Sequence, residues 1–297
     1  MTASTDRRHG QGTPVRTATL LLKCPDRKGL VRAIADFVSG HNGNILHADH
    51  NVDFETRQFF SRVEWDLDDF AIPAEKIAAA FAPLAESCAM QWQLRFSDER
   101  PGVAIFVSKL DHCLMDLLHR WTIGELPGRV SAIISNHPDL EAAVEQQGIA
   151  YHCFPITPQN KRIQEAKEIE LLRSLSVDLV VLARYMQVVS EEFIARCPAR
   201  IINIHHSFLP AFVGASPYAR AYERGVKLIG ATSHYVTPEL DAGPIIEQDV
   251  VRVTHRDTLK DLIRKGRDLE RVVLARAVRL DLERRVLAYA NKTVVFD

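Results

Sequence analysis

This chain lacks a charge excess, a bilayer-length apolar run and any Cys-x-x-Cys. The formal net charge is −1, so no strong field draws nucleic acid or anionic lipid. The arginines from Arg264 to Arg285 alternate with Asp261, Asp268, Glu270, Asp281 and Glu283. They read as a solvated helix face, not a nucleic-acid patch. The five cysteines, Cys24, Cys88, Cys113, Cys153 and Cys197, are scattered and odd in number. That excludes a simple disulfide framework or zinc ribbon and fits reduced thiols in a cytoplasm. With no run long enough for a membrane-spanning helix, a membrane protein of that kind is not expected. Residues 1–15 contain Arg7 and Arg8 but no apolar core of a secretory signal, and the expectation is a disordered tail.

What is present is a hydrophobic content of 46% over 297 residues, enough for two domains with real cores. Between Thr17 and Phe96 the pattern reads βαββαβ. Strand-like stretches are Thr17–Lys23, Ile45–Val52, Phe59–Trp65 and Met90–Phe96. Leu30, Ile34, Phe37 and Val38 share one helix face, and Ile77, Phe81 and Leu84 another. This order predicts a ferredoxin-like sheet with both helices on one side. Val63, Trp65, Trp92, Leu94 and Phe96 are candidates for its open face. Asp26 reads as a helix N-cap, and Gly29 as a glycine admitting a close backbone approach. The polar segment Ser97–Gly102 marks a boundary, giving domains at residues 16–97 and 102–297.

After Val103 short apolar strands alternate with helical stretches, predicting a Rossmann-like, mainly parallel α/β sheet. Strands are expected at Val103–Val107, Val130–Ser135, Leu179–Ala183, Ile201–His205, Leu228–Val236 and Ile245–Val253. Helices are expected at Leu110–Trp121, Asp139–Gln147, Gln159–Leu175 and Ser216–Arg224, with a long one from Asp257 to about Leu287. In such sheets ligands bind at the carboxyl ends of strands.

Asn203-Ile204-His205-His206-Ser207 closes one of these strands, and Leu240-Asp241-Ala242-Gly243-Pro244 follows another. Strand alternation puts Asn203 and His205 on one face and turns His206 away. An amide can hold an oxyanion, an imidazole can carry a proton, and a carboxylate can orient either the imidazole or a water. Taken singly, Asn203 and His205 also fit strand-end residues that satisfy backbone groups. His205, His206, His234 and Asp241 also have zinc-ligand chemistry, but adjacent strand histidines point apart and no metal is expected. His234 shares a face with Thr232 and reads equally as a pocket support or a core histidine. Ala183–Ser190 reads as a strand-to-helix connection.

These segments resemble the Asn-His-Asp signature of the folate-dependent formyltransferase fold. Asn203–Phe212, Gly225–His255 and Cys24–Leu46 together resemble the formyltetrahydrofolate deformylases, hydrolases with an N-terminal ACT domain. The resemblance spans roughly Thr17 to Val286. It implies hydrolysis of 10-formyltetrahydrofolate to tetrahydrofolate and formate, with Asn203, His205 and Asp241 catalytic. It implies a folate pocket with Arg184, Tyr185, Met186, Gln187, Val189, Ser207, His234 and Leu240, and neither metal nor cofactor. In the ACT domain it implies an amino-acid effector site at Asp26, Gly29, Leu30, Asn42 and Asn44, formed where subunits pair, hence a dimer or tetramer. Glycinamide ribonucleotide formyltransferases carry a Gly-rich phosphate loop after the first strand of this fold. Here no glycine lies between Gly102 and Gly124, and Ser108-Lys109 stand in its place. That argues against a nucleotide amine acceptor. The C-terminal RNA-binding domain of methionyl-tRNA formyltransferases is not expected either. Two alternatives stay open: a formyltransferase to an amine, and a non-catalytic folate and amino-acid sensor.

Overall fold

A computed structural model describes residues 15–211 and 217–297. The expected tail falls almost wholly outside them. The chain divides into two compact units, one up to Glu99 together with Phe296–Asp297, the other from Arg100 to Val295.

In the first unit the order is β1 (Thr17–Pro25), α1 (Leu30–Gly40), β2 (Ile45–Asp53), β3 (Gln58–Asp66), α2 (Ala74–Ser87) and β4 (Gln91–Phe96). The sheet is antiparallel with order β2-β3-β1-β4. Ala18, Leu20, Leu22 and Cys24 of β1 lie opposite Trp65, Val63, Ser61 and Phe59 of β3. Leu30, Ile34 and Val38 of α1, with Ile77, Phe81 and Ala85 of α2, pack on that face. Trp92, Leu94 and Phe96 join the same core. The five large residues proposed for the open face therefore all lie beneath the helices. Their register against β1 decides this, and periodicity alone cannot show which face a strand turns to its helices. The other face carries Leu21, Phe60 and the ion pair Arg62–Glu64, 2.9 Å apart.

Gly29, not Asp26, occupies the N-cap of α1, with φ +92°. A Cβ there would meet nothing within 4 Å, so the glycine serves a left-handed backbone and not a close approach. The Asp26 amide instead donates to Arg57 O at 2.8 Å. Asn42 and Asn44 lie beyond the other end of α1. Their side chains donate to Asp69 O and to the Asp66 carboxylate, at 3.0 and 3.3 Å.

The second unit contains a seven-stranded sheet of order β11-β10-β9-β8-β5-β6-β7. Its parallel part comprises β5 (Gly102–Val107), β6 (Arg129–Ser135), β7 (Tyr151–Cys153), β8 (Val177–Leu182) and β9 (Arg200–His205). β10 (Leu228–Tyr235) runs antiparallel to both β9 and β11 (Ile245–Arg252). Parallel and antiparallel strands share a period of two, so this reversal is invisible to periodicity. The connecting helices are α3 (His112–Thr122), α4 (Glu141–Glu145), α5 (Lys161–Ser174), α6 (Glu191–Arg196) and α7 (Pro217–Arg224). The short β7 and α6 went unread in the sequence.

All of β5 is buried, and its residues alternate between two cores. Val103, Ile105 and Val107 share one with Cys113, Leu114 and the long α8 (Leu259–Leu282); Ala104 and Phe106 share the other with Ile169, Leu172 and Phe193. Thr258 and Asp261 close a capping box at the start of α8. The helix stops five residues short of its expected end. Arg284 takes a positive φ of 56°, and β12 (Val286–Tyr289) and β13 (Lys292–Val295) form a hairpin. The chain leaves β5 in one direction along the sheet and returns to β8 on its other side. The crevice beyond the ends of β5 and β8 is therefore the switch point where open α/β sheets bind ligands.

Candidate active site

Asn203 and His205 of β9 face His234 and Thr232 of β10 across an antiparallel ladder. Directly opposed residues share a face, so Asn203, His205 and His234 project together. β10 runs away from the end of β9, and the segment from Val236 to Pro244 must fold back to bring Asp241 over them. Gly243 permits this, because an added Cβ would collide with Tyr235 O. The Tyr235 amide bonds Pro244 O at 2.9 Å and pins the return. Asp241 has φ 55°, a left-handed conformation that Asp and Asn tolerate better than most residues.

Asp241 Oδ2 lies 3.2 Å from His205 Nδ1. A carboxylate only accepts, so Nδ1 carries the hydrogen and Nε2 of the neutral ring holds a lone pair. That Nε2 is buried and has no protein partner. The bond from His205 holds Asp241 well below the usual carboxylate range despite burial. His234 Nδ1 lies 2.9 Å from Tyr235 O, so it donates and leaves its Nε2 as acceptor. Asn203 Nδ2 is 3.2 Å from that Nε2. The amide is thereby oriented, with its second N–H free. His234 is buried in the sheet and also borders the adjoining cavity.

These residues form one end of a cavity of about 470 Å³, bounded by the Arg184–Val189 strap and by the return segment up to Asp241. The size suits a small heterocyclic ligand. Met186, Val188 and Leu240 stay more than half exposed at the strap and return segment, leaving apolar surface for a flat molecule. Tyr185 and Val189 border the cavity but bury their side chains in the core with Phe106 and Phe193. Arg184 and Gln187 also border it. Ser207 does not: it lines a neighbouring cavity and donates to Ala211 O at 2.7 Å. His206 does border it, contrary to the alternation argument, because β9 ends at His205 and the strand rule stops there. Ile194 and the Val236–Pro238 stretch are lining residues that the sequence did not single out. Only the length of the β10–β11 connection hinted at the last.

The strap is held from below. Ser108 Oγ donates to Asn136 Oδ1 at 2.7 Å and accepts from Met186 N at 2.9 Å. Ser190 caps α6 and bonds Glu165 through both its amide and its hydroxyl, at 2.9 and 2.6 Å. Glu168 lies beneath Tyr185, fully buried, with one oxygen unpaired. Burial, then the charge of Glu165, raises its pKa to about 7. A carboxyl raised on folding binds extra protons in the native state, so stability falls as pH climbs from the unfolded value near 4.5 to about 7. Glu168→Gln should therefore melt higher than the parent at pH 8 and close to it at pH 5. Thermal melts at both pH values check this; equal melts at pH 8 would leave Glu168 without an ionised form to relieve.

Two clusters have metal-type donors. His112, Cys113 and Glu270 offer atoms within 4.8 Å of one another. The Glu270 oxygens, however, already accept from His112 and Tyr218, and the Arg184 guanidinium stands 3.5 Å away. Around Asp241, the carboxylate is taken up by His205. Both carboxylates are thus engaged by hydrogen-bonding neighbours, and His205 Nε2 is left without a protein partner.

The formyl transferase family profile matches residues 102–278. A formyltetrahydrofolate deformylase of Synechocystis sp. is 58% identical over 280 residues, covering 94% of this chain and 98% of its own. The chain belongs to the formyltetrahydrofolate deformylase family. The crystal structure of a deformylase of this family from Pseudomonas syringae pv. tomato superposes with a TM-score of 0.94 at 48% identity, covering 97% of this chain and 96% of that one. Glycinamide ribonucleotide transformylase 1 from Symbiobacterium toebii gives a TM-score of 0.63 at 34% identity, over 69% of this chain but 98% of its own. The deformylase relatives thus match nearly the whole length, and the transformylase has no counterpart for the remainder. Among the described residues no helix is long and apolar enough to cross a membrane.

Proposed function

We propose that this chain hydrolyses 10-formyltetrahydrofolate to tetrahydrofolate and formate, without metal or cofactor. The observation that carries the reading is the His205–Asp241 pair set beside an oriented Asn203 amide at the end of a partly apolar cavity. The pterin lies against the strap and return segment, which brings the formyl carbon to Asn203 and His205. Water attacks that carbon, and the free N–H of Asn203 donates to the developing oxyanion. His205 Nε2 takes up a proton and delivers it to the departing nitrogen. Asp241 stabilises the imidazolium through Nδ1, and orients the water. Held in this geometry, the groups need no protein nucleophile.

Incubation with 10-formyltetrahydrofolate and water alone, with assay of formate, tests the reading. Formate should appear in step with tetrahydrofolate, and glycinamide ribonucleotide should not speed consumption of the donor. Formylated glycinamide ribonucleotide among the products would select the transferase alternative. Folate binding with no formate would select the sensor. The hydroxyl of Ser108, engaged on both sides by Asn136 and Met186, supports the exclusion of a phosphate at that loop.

The first unit is proposed to be an ACT domain, on its βαββαβ order and its β2-β3-β1-β4 sheet. Asp26, Gly29 and Leu30 sit at the start of α1; Asn42 and Asn44 sit past its end. The eleven-residue helix α1, which begins at Leu30, holds the two groups apart, by roughly 15 Å at 1.5 Å per residue. One subunit cannot close both around a small amino acid, so the effector site requires pairing of subunits, in a dimer or tetramer. Sedimentation of the full chain at micromolar concentration should show an assembly larger than a monomer. A monomer there would remove the shared effector site with it. Neither nucleic acid nor membrane is a partner in this proposal, and a cytoplasmic location accompanies it.

A further inference from the structure

The proposed mechanism leaves a buried polar cluster unused. Glu270 of α8 is 1% exposed. Its carboxylate accepts from His112 Nε2 at 2.7 Å and from the Tyr218 hydroxyl at 2.6 Å, and Arg184 pairs with it at 3.5 Å. Burial alone would raise the Glu270 pKa; His112, Arg184 and Tyr218 together hold it below the ordinary value. Gly266, one turn before Glu270, has no Cβ because the Tyr218 ring occupies that space. The Tyr218 ring is thus fixed by its hydroxyl and by the helix it lies on. Its edge meets the His206 ring, with centroids 6.1 Å apart, and His206 in turn lies 5.2 Å from the His205 ring.

His206 also separates two spaces. The cavity of about 470 Å³ holds Asn203, His205 and Asp241; a second, of about 360 Å³, is lined by apolar groups such as Phe208, Pro217, Tyr218 and Ile229. Among the described residues His206 alone borders both. The formyl donor enters from the strap side, so an acceptor larger than water needs room on the side His206 closes. Burial, then the Arg184 charge, lowers its pKa to about 4, which keeps the ring neutral beside His205.

We propose that His206, buttressed by Tyr218 and the Glu270 cluster, is the specificity-determining residue for the acceptor. It walls the catalytic cavity off from the neighbouring apolar one and leaves room for water but not for an amine with an apolar body. This rests on the hydrolase reading above. Removing the wall joins the two spaces, and an amine seated in the second can reach the formyl carbon. Its nitrogen then bonds that carbon, the bond from the carbon to the folate nitrogen breaks, and one amine proton ends on that nitrogen. The products are tetrahydrofolate and the N-formylated amine.

The test measures product partition with the full-length protein, 10-formyltetrahydrofolate and O-benzylhydroxylamine, a nucleophile that is neutral at pH 7 and carries an apolar ring. The parent should yield formate only. His206→Ala should raise the ratio of N-formyl product to formate about 10- to 200-fold, the range that pocket size commonly commands. His206→Phe keeps the bulk and should stay with formate. If the alanine variant does not fold by thermal melt, His206→Ser takes its place in the comparison. Formate alone from a folded small-residue variant would overturn the proposal, as would N-formyl product from the parent or from His206→Phe. Absence of formate from the parent in water alone would instead count against the hydrolase reading. The parent control therefore separates the two failures.

Discussion

Asp241→Asn is expected to leave the protein folded and to lower turnover by about 1,000-fold or more, at the upper part of the range for losing a positioned acid–base group. The fold should survive because the two side chains have nearly the same shape and Asn also tolerates the positive φ of 55° at this position. Chemistry fails for two reasons. An amide orients the water less strongly than a carboxylate, and it cannot offset the positive charge that His205 acquires when its Nε2 is protonated. The Asn side chain can still accept from His205 Nδ1 through its oxygen, so ring orientation is retained and the loss isolates charge from geometry. Asp241 is held ionised well below the usual range, so its own protonation does not shape the parent's activity at neutral pH. Turnover number and a circular-dichroism melt, measured together, check this. Activity within tenfold of the parent would show that Asp241 is a structural partner of His205 and not part of the proton path.

Asn203→Ala should cost roughly 100- to 1000-fold in turnover with a much smaller change in KM, the usual scale for removing one oxyanion donor. The Asn203 side chain bonds His234 Nε2 at 3.2 Å, which leaves one N–H for charge that develops only in the transition state. Such an interaction weighs on turnover and little on ground-state binding. Removing the amide also frees His234 Nε2, 3.7 Å from Asp241 Oδ1. His234→Ala should then reproduce part of the Asn203 loss by letting the amide rotate. A rise in KM with turnover unchanged would assign Asn203 to folate binding instead. His206→Ala should lose less hydrolysis than His205→Ala, since the proposed proton path runs through His205.

Much of the fold and of the candidate site is legible in the sequence. Strand and helix periods stood out along β1, β3, β4, β5, β8 and β9, because one or both faces of those strands are buried and burial imposes alternation or a continuous apolar run. Asn203, His205 and Asp241 were conspicuous because polar side chains at the end of an apolar strand call for a reason. Face, direction and company belong to the tertiary structure. Trp92, Leu94 and Phe96 turned out to lie under the helices, since a strand's period does not say which of its faces is covered. β10 reversed direction, and with it the return segment had to carry Asp241 back over β9, a route that Gly243 permits. His206 and Glu270 were a second histidine and one charge among many on a long helix. Their juxtaposition through Tyr218 comes from three places, the residue just after β9, α7 and α8, far apart in the chain. By itself the sequence determined which residues are candidates for the proposed chemistry, since that chemistry needs particular functional groups; the tertiary structure alone decided what surrounds them, since packing joins residues that no local period relates.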